Sequence, residues 1–130
     1  MNLKVIVATC ALLASASVAV HASDPHKHVD VKPKHGGMVK EVNDVTYELV
    51  AKPEMITVYV EDHGKPLDVK GAAGKVTLRT GNDRKEVTLT PASGNKLEAK
   101  GPFEFAPGTT VILQVKRDAK GEDSTRFQLK

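Results

Sequence analysis

The sequence predicts an all-β domain: a single antiparallel β-sandwich of about seven to eight strands behind a disordered N-terminal arm. Three observations carry this expectation. From Met38 onward, apolar residues recur at every second position, the period of a strand with one buried face. Turn-forming clusters break these runs roughly every 8–12 residues. No segment of the domain shows a helical period. Inward Val, Leu, Ile and Phe would fill one apolar layer between two sheets, an immunoglobulin- or fibronectin-III-like arrangement.

The elements follow in order. A first strand opens at Met38 and ends at the turn Asn43-Asp44. In the second, Val45, Tyr47 and Leu49 alternate with Thr46, Glu48 and Val50, up to Lys52-Pro53-Glu54. In the third, Ile56, Val58 and Val60 alternate with Thr57 and Tyr59, up to His63-Gly64-Lys65-Pro66. Gly71-Ala72-Ala73-Gly74 is small and apolar. Its two Gly residues would cost a helix about 1 kcal/mol each, so it reads as a strand lead-in or a bend. Val76 and Leu78, then Val87 and Leu89, mark two strands joined at Gly81-Asn82-Asp83. Ser93-Gly94-Asn95, Pro107-Gly108 and Lys120-Gly121-Glu122-Asp123 separate the remainder, which includes Val111, Leu113 and Val115 and the closing Phe127 and Leu129.

Ahead of this body stands the layout of a secretory signal peptide. Lys4 supplies the positive start, Val5 to Val20 the apolar run, and Val20-His21-Ala22 the cleavage region. The run falls short of the ~20 residues of a membrane span, and no stop-transfer pattern follows, so no stable membrane anchor is expected. The predicted division is residues 1–22 as signal peptide, 23–36 as a flexible His-containing arm and 37–130 as the sandwich, in a periplasmic protein. Cys10 lies in the signal, and Thr9 is a poor residue to precede a lipidated Cys. The mature chain would therefore hold no Cys, which excludes disulfides, thiolate metal sites and Cys nucleophiles.

About 108 residues then remain, enough for one core. Without Lys4 the 19 basic residues become 18, against 16 acidic ones, and the charges alternate along the chain. Neither this balance nor three Phe, two Tyr and no Trp suits a nucleic-acid partner. Catalysis finds no constellation either: no nucleophile elbow, no phosphate-binding Gly-rich loop and no His-Glu-x-x-His. The protein is not expected to be an enzyme.

Three of the five His residues, His26, His28 and His35, fall within Asp24 to Met38. Imidazole is the commonest protein metal ligand, so such a gathering suggests metal capture. His26 and His28, two apart, point to one side of an extended chain. The same residues also read as a solvated tail, and ordering it costs roughly 1–2 kcal/mol per residue. An amino-terminal copper clamp is disfavoured. With Ser23 first, Pro25 is third and has no amide proton to lose.

His35-Gly36-Gly37-Met38 reads either as a ligand with a bendable neighbour or as a flexible join. Met38 adds a thioether that suits copper. Imidazole with carboxylate from Asp24 or Asp30 suits zinc, nickel or copper(II). Glu61-Asp62-His63-Gly64 reads as a polar turn or as a further ligand in His63. In a simple meander His35 and His63 stand at opposite ends of the sheet, about 20 Å apart, too far to share an ion. Met55, at a strand start, reads as packing.

His35-Gly36-Gly37, Tyr47-Glu48-Leu49-Val50 and the run from Ile56 to Leu67 resemble a known group. So do Gly74 to Leu78, Val87 to Ala92, Gly94 to Leu97 and Arg126 to Leu129. The chain is similar over residues 35–130 to small exported bacterial proteins found beside heavy-metal efflux systems. It is also similar to the His-containing N-terminal extension of periplasmic adaptor subunits of tripartite metal pumps. The resemblance implies a periplasmic β-sandwich linked to copper, zinc, cadmium or cobalt handling, with His35 and His63 on matching motifs.

The expected function is a periplasmic accessory protein that captures a divalent or cuprous ion, copper or zinc, through His26, His28 and His35. Asp30 or Met38 would complete the shell, and the ion would be buffered or passed to an efflux adaptor. Binding should be micromolar or weaker and should fade as imidazoles protonate toward about pH 5. The alternative is an interaction module that binds no metal and docks an envelope or adaptor protein. Intact-mass spectrometry of protein purified from its own envelope checks the processing: the chain should begin at Ser23, and a retained residue 1 would remove the signal-peptide reading.

Overall fold

A computed structural model of the chain describes residues 31–117 and 121–130. The predicted signal peptide and His26, His28 and Asp30 lie outside them. The described residues form nine strands and no helix: β1 Met38–Val42, β2 Val45–Lys52, β3 Met55–Asp62, β4 Lys65–Pro66, β5 Ala73–Thr80, β6 Asp83–Pro91, β7 Lys96–Lys100, β8 Thr110–Lys116 and β9 Glu122–Gln128. Every pairing is antiparallel, in the order β1-β2-β3-β7-β6-β5-β8-β9, with β4 beside β3.

The all-β expectation holds. The strand count rises to nine because the His63–Pro66 turn carries the two-residue β4. The layout also differs from two separate sheets. Strand β6 pairs with β5 from Asp83 to Leu89 and then with β7 at Thr90 and Pro91, so one hydrogen-bonded path runs through the molecule. Its outer strands, β1 and β9, come into contact, which makes the body nearly a closed barrel.

Local chemistry explains the hairpins. Strands β1 and β2 are joined by Asn43 and Asp44 alone, both at positive φ, 50° and 66°. A two-residue turn of this hand matches strand twist, and after Gly it is Asn and Asp that tolerate it best. The Gly71–Gly74 segment is the expected lead-in, since β5 starts at Ala73. Gly74 sits opposite Leu89, and a Cβ there would lie 3.0 Å from the Leu89 side chain. The small residue lets the two strands close over the core.

That core is the predicted inward set. Val45, Tyr47 and Leu49 of β2, Ile56, Val58 and Val60 of β3, and Val111, Leu113 and Val115 of β8 are all buried. Each full burial of such a side chain stabilises by roughly 1.5–3 kcal/mol. Val69 and Phe103, from the connections, complete the layer.

A carboxylate also enters this interior. Asp123 of β9 is 5% exposed and accepts hydrogen bonds from Asn43 Nδ2 at 3.0 Å, from the Tyr47 hydroxyl and from Arg117, whose Nη2 lies 3.0 Å away. The bond from Tyr47 ties β2, near one end of the strand path, to β9 at the other. Burial, with the Asp123 carboxylate beside it, pushes the Tyr47 hydroxyl well above the usual Tyr range.

A raised folded-state value favours the protonated phenol. The contribution is therefore complete below the ordinary value of 10.0 and is lost as pH climbs beyond it, because the unfolded chain ionises first. Urea titrations between pH 8 and pH 11 should show stability declining above about pH 10, with the decline reduced in Tyr47→Phe. Asp123→Ala should cost about 3 kcal/mol at neutral pH by stranding the guanidinium and the phenol.

Candidate functional site

Alternation along β2 and β3 turns Thr46, Glu48, Tyr59 and Glu61 away from the core. This outer face is nonetheless covered: Glu48 is only 5% exposed. The cover is the chain just ahead of β1, where Val31, Lys32 and Lys34 line a crevice with Val39, Thr46, Glu48, Tyr59 and Glu61. The segment 31–37 forms a strap across the sheet.

Glu48 holds the strap down. Its carboxylate accepts the backbone N–H groups of Lys34 at 2.9 Å, His35 at 2.7 Å and Gly37 at 3.0 Å. The Nδ1 atom of His35 lies 3.1 Å from the same carboxylate. Burial alone would raise the Glu48 carboxyl, but the bonds from Gly37, Lys34 and His35 outweigh it and hold it below the ordinary range. Lys34 adds an ion pair, its Nζ 2.8 and 3.0 Å from the two Glu61 oxygens.

The Gly pair makes this course possible. Gly36 takes φ +75°, and a Cβ on Gly37 would fall 2.3 Å from the Leu49 carbonyl oxygen. Only a residue without a side chain lets the strap approach β2 so closely.

These contacts orient His35. Its ring stacks on Tyr59 with centroids 3.6 Å apart and planes 3° from parallel. An ionised carboxylate only accepts, so the ring nitrogen facing Glu48 carries the proton. In the neutral ring the lone pair then sits on Nε2. The His35 side chain is 39% exposed. A carboxylate that fixes one imidazole nitrogen and leaves the other as donor is the usual support of a metal-binding His.

The other sequence candidates are placed differently. Met38 lies opposite Leu49 and packs against the core, so its thioether is on the inner side of the sheet while His35 is on the outer side. The structure does not bring them together. His63 follows Tyr59 by four residues, roughly 13 Å along a strand, and shares no ion position with His35. It sits at φ 49° in the turn after β3, with Nδ1 2.5 Å from Asp62 Oδ1 and a side chain 74% exposed. Val31 to Lys34 share a groove of about 680 Å³ with Glu41, Asp44, Thr46, Glu61, His63 and Gly64, so the strap runs back from His35 toward His63. His26, His28 and Asp30 fall outside the described residues. Among the described residues no three His, Cys, Asp or Glu side chains group to hold an ion.

Glu48, Tyr59 and Glu61 had no place in the sequence-based set. In the alternating pattern Glu48 looks like any outward polar residue. The only hint was the Gly pair beside His35, which allows close backbone approach without naming the partner.

No family model matches the chain, and no curated protein does. Among solved structures, the crystal structure of a Br derivative of BhCBM56 is similar at 13% identity and a TM-score of 0.45, over 72% of this chain and 99% of that one. A likeness of that size carries no argument about fold or function.

Replacing the carboxylate tests the strap. In Glu48→Ala, hydrogen exchange at the amides of Lys34, His35 and Gly37 should accelerate to the rate of open chain, and global stability should fall by about 1–3 kcal/mol. Unchanged protection would show that something other than Glu48 holds the segment.

Proposed function

We propose that this is a periplasmic heavy-metal-binding accessory protein that buffers copper- or zinc-like ions or hands them to an efflux system. His35 is the body-side ligand, and His26 and His28, with Asp30, supply the rest from the arm. Met38, turned to the core, is left out of the set, and His63 is a separate imidazole at the far end of the strap. The observation that supports this reading best is the state of the His35 ring, which is stacked, hydrogen-bonded through one nitrogen and open to solvent. Binding through His26 and His28 alone would lose affinity to ordering their segment, at roughly 1–2 kcal/mol per residue. A third ring already held in place lowers that cost. The leader expected from the sequence, and the resemblance read from its motifs, are the further grounds for this reading.

A second reading, a module that docks an envelope or adaptor protein without metal, draws on one feature. Among the described residues, β6 from Asp83 to Thr88 pairs on one side only, with β5. An open edge accepts an added strand. Lys85, opposite the inward Leu78, sets a charge on the core side of this edge, a common guard against such pairing. Capture of an adaptor that persists in chelator would favour this second reading. The finer fold assignment, a two-layer sandwich of the immunoglobulin or fibronectin-III kind, belongs to the same proposal and is supported by the single apolar layer that β2, β3, β5 and β8 bury between them.

The chain has no Trp and two Tyr residues, one of them stacked on His35, so Tyr emission reports on the site. Copper(II) titration should quench it with micromolar or weaker affinity, and zinc titration should give matching heats. A His26→Ala/His28→Ala/His35→Ala variant should show neither. Identical titrations for the variant and the parent protein would remove the metal assignment.

A further inference from the structure

Resting on the metal-binding reading above, we propose that ligation of a divalent cation at His35 Nε2 and docking of the strap 31–37 are one equilibrium, coupled through Glu48. The carboxylate is shared. It accepts three backbone N–H groups from the strap and faces the Nδ1 atom of the ring. The ring cannot turn away without giving up Glu48 and Tyr59, and the strap cannot lift without taking the ring along.

In the docked state the ring proton is committed to Nδ1, and Nε2 is a ready donor. In the lifted state the ring has no carboxylate partner, and both tautomers compete. A cation that binds Nε2 therefore binds the docked state better, and by linkage the docked strap binds the cation better. The cation also draws electron density from the ring, which makes Nδ1–H a stronger donor to Glu48. Cation capture becomes a change in the cover of the β2–β3 outer face, a surface that Lys34, paired with Glu61, also closes.

Gly37 allows the coupling to be tested away from the ring. Its substitution by Ala places a methyl 2.3 Å from the Leu49 carbonyl oxygen, which lifts the strap while the His35, Glu48 and Tyr59 side chains keep their chemical identity. The experiment uses the intact protein with zinc chloride. Ring ¹⁵N shifts of His35 and amide exchange at Lys34, His35 and Gly37 are read with and without the metal.

The neutral ring should be protonated on Nδ1. Zinc should shift Nε2 and slow exchange at the three amides. Gly37→Ala should bind zinc at least about tenfold more weakly. A ring protonated on Nε2, strap exchange indifferent to a zinc-bound ring, or parental zinc affinity in Gly37→Ala would each overturn the coupling while leaving the metal reading in place. If zinc shifts no His35 nitrogen, the metal reading itself falls and the coupling falls with it. Should Gly37→Ala fail to fold, the ring shifts and exchange rates of the parent protein still decide.

Discussion

Glu48 is an ionised carboxylate with almost no exposure, and the outer face of the β1–β3 sheet is organised by what such a charge requires. Taking it out of water costs several kcal/mol unless donors replace the lost hydration. Neighbouring strands offer few, because their N–H groups are spent on the ladder. The donors come from the chain ahead of β1, where a Gly pair lets the N–H groups of Lys34, His35 and Gly37 turn toward one point. The strap, the orientation of His35 and the cover over Thr46 all follow from that requirement.

Asp123 poses the same problem on the inner face and meets it differently. Its donors come from three separate places: the β1–β2 turn, strand β2 and the end of β8. Glu48 fastens a neighbouring segment down, whereas Asp123 draws the two ends of the strand path together. Apolar packing is non-directional and would allow the barrel to close in several registers. A buried carboxylate with three donors accepts far fewer.

The chemistry of the candidate site rests on this division of labour. His35 is oriented because it shares its carboxylate with three backbone N–H groups of its own segment. His63 has only its neighbour Asp62 and a strained turn, and it stays exposed. Two imidazoles that look equivalent in the chain thus differ in how much ordering a ligand must supply, the quantity that separates a weak metal site from a useful one.

Strand identity, the inward residues and the hairpin turns could be read from the chain because each depends on neighbours in sequence: a period of two, and Gly, Asn and Asp where φ turns positive. The Gly71–Gly74 bend follows the same local logic. The roles of Glu48 and Asp123, the handover of β6 and the inward turn of Met38 could not be read this way. Glu48 meets partners 11 to 14 residues away and Asp123 meets one 80 residues away. Burial of an outward-facing carboxylate is decided by which distant segment folds over it. Alternation says which side of a strand a residue takes, but only tertiary structure says what lies on that side.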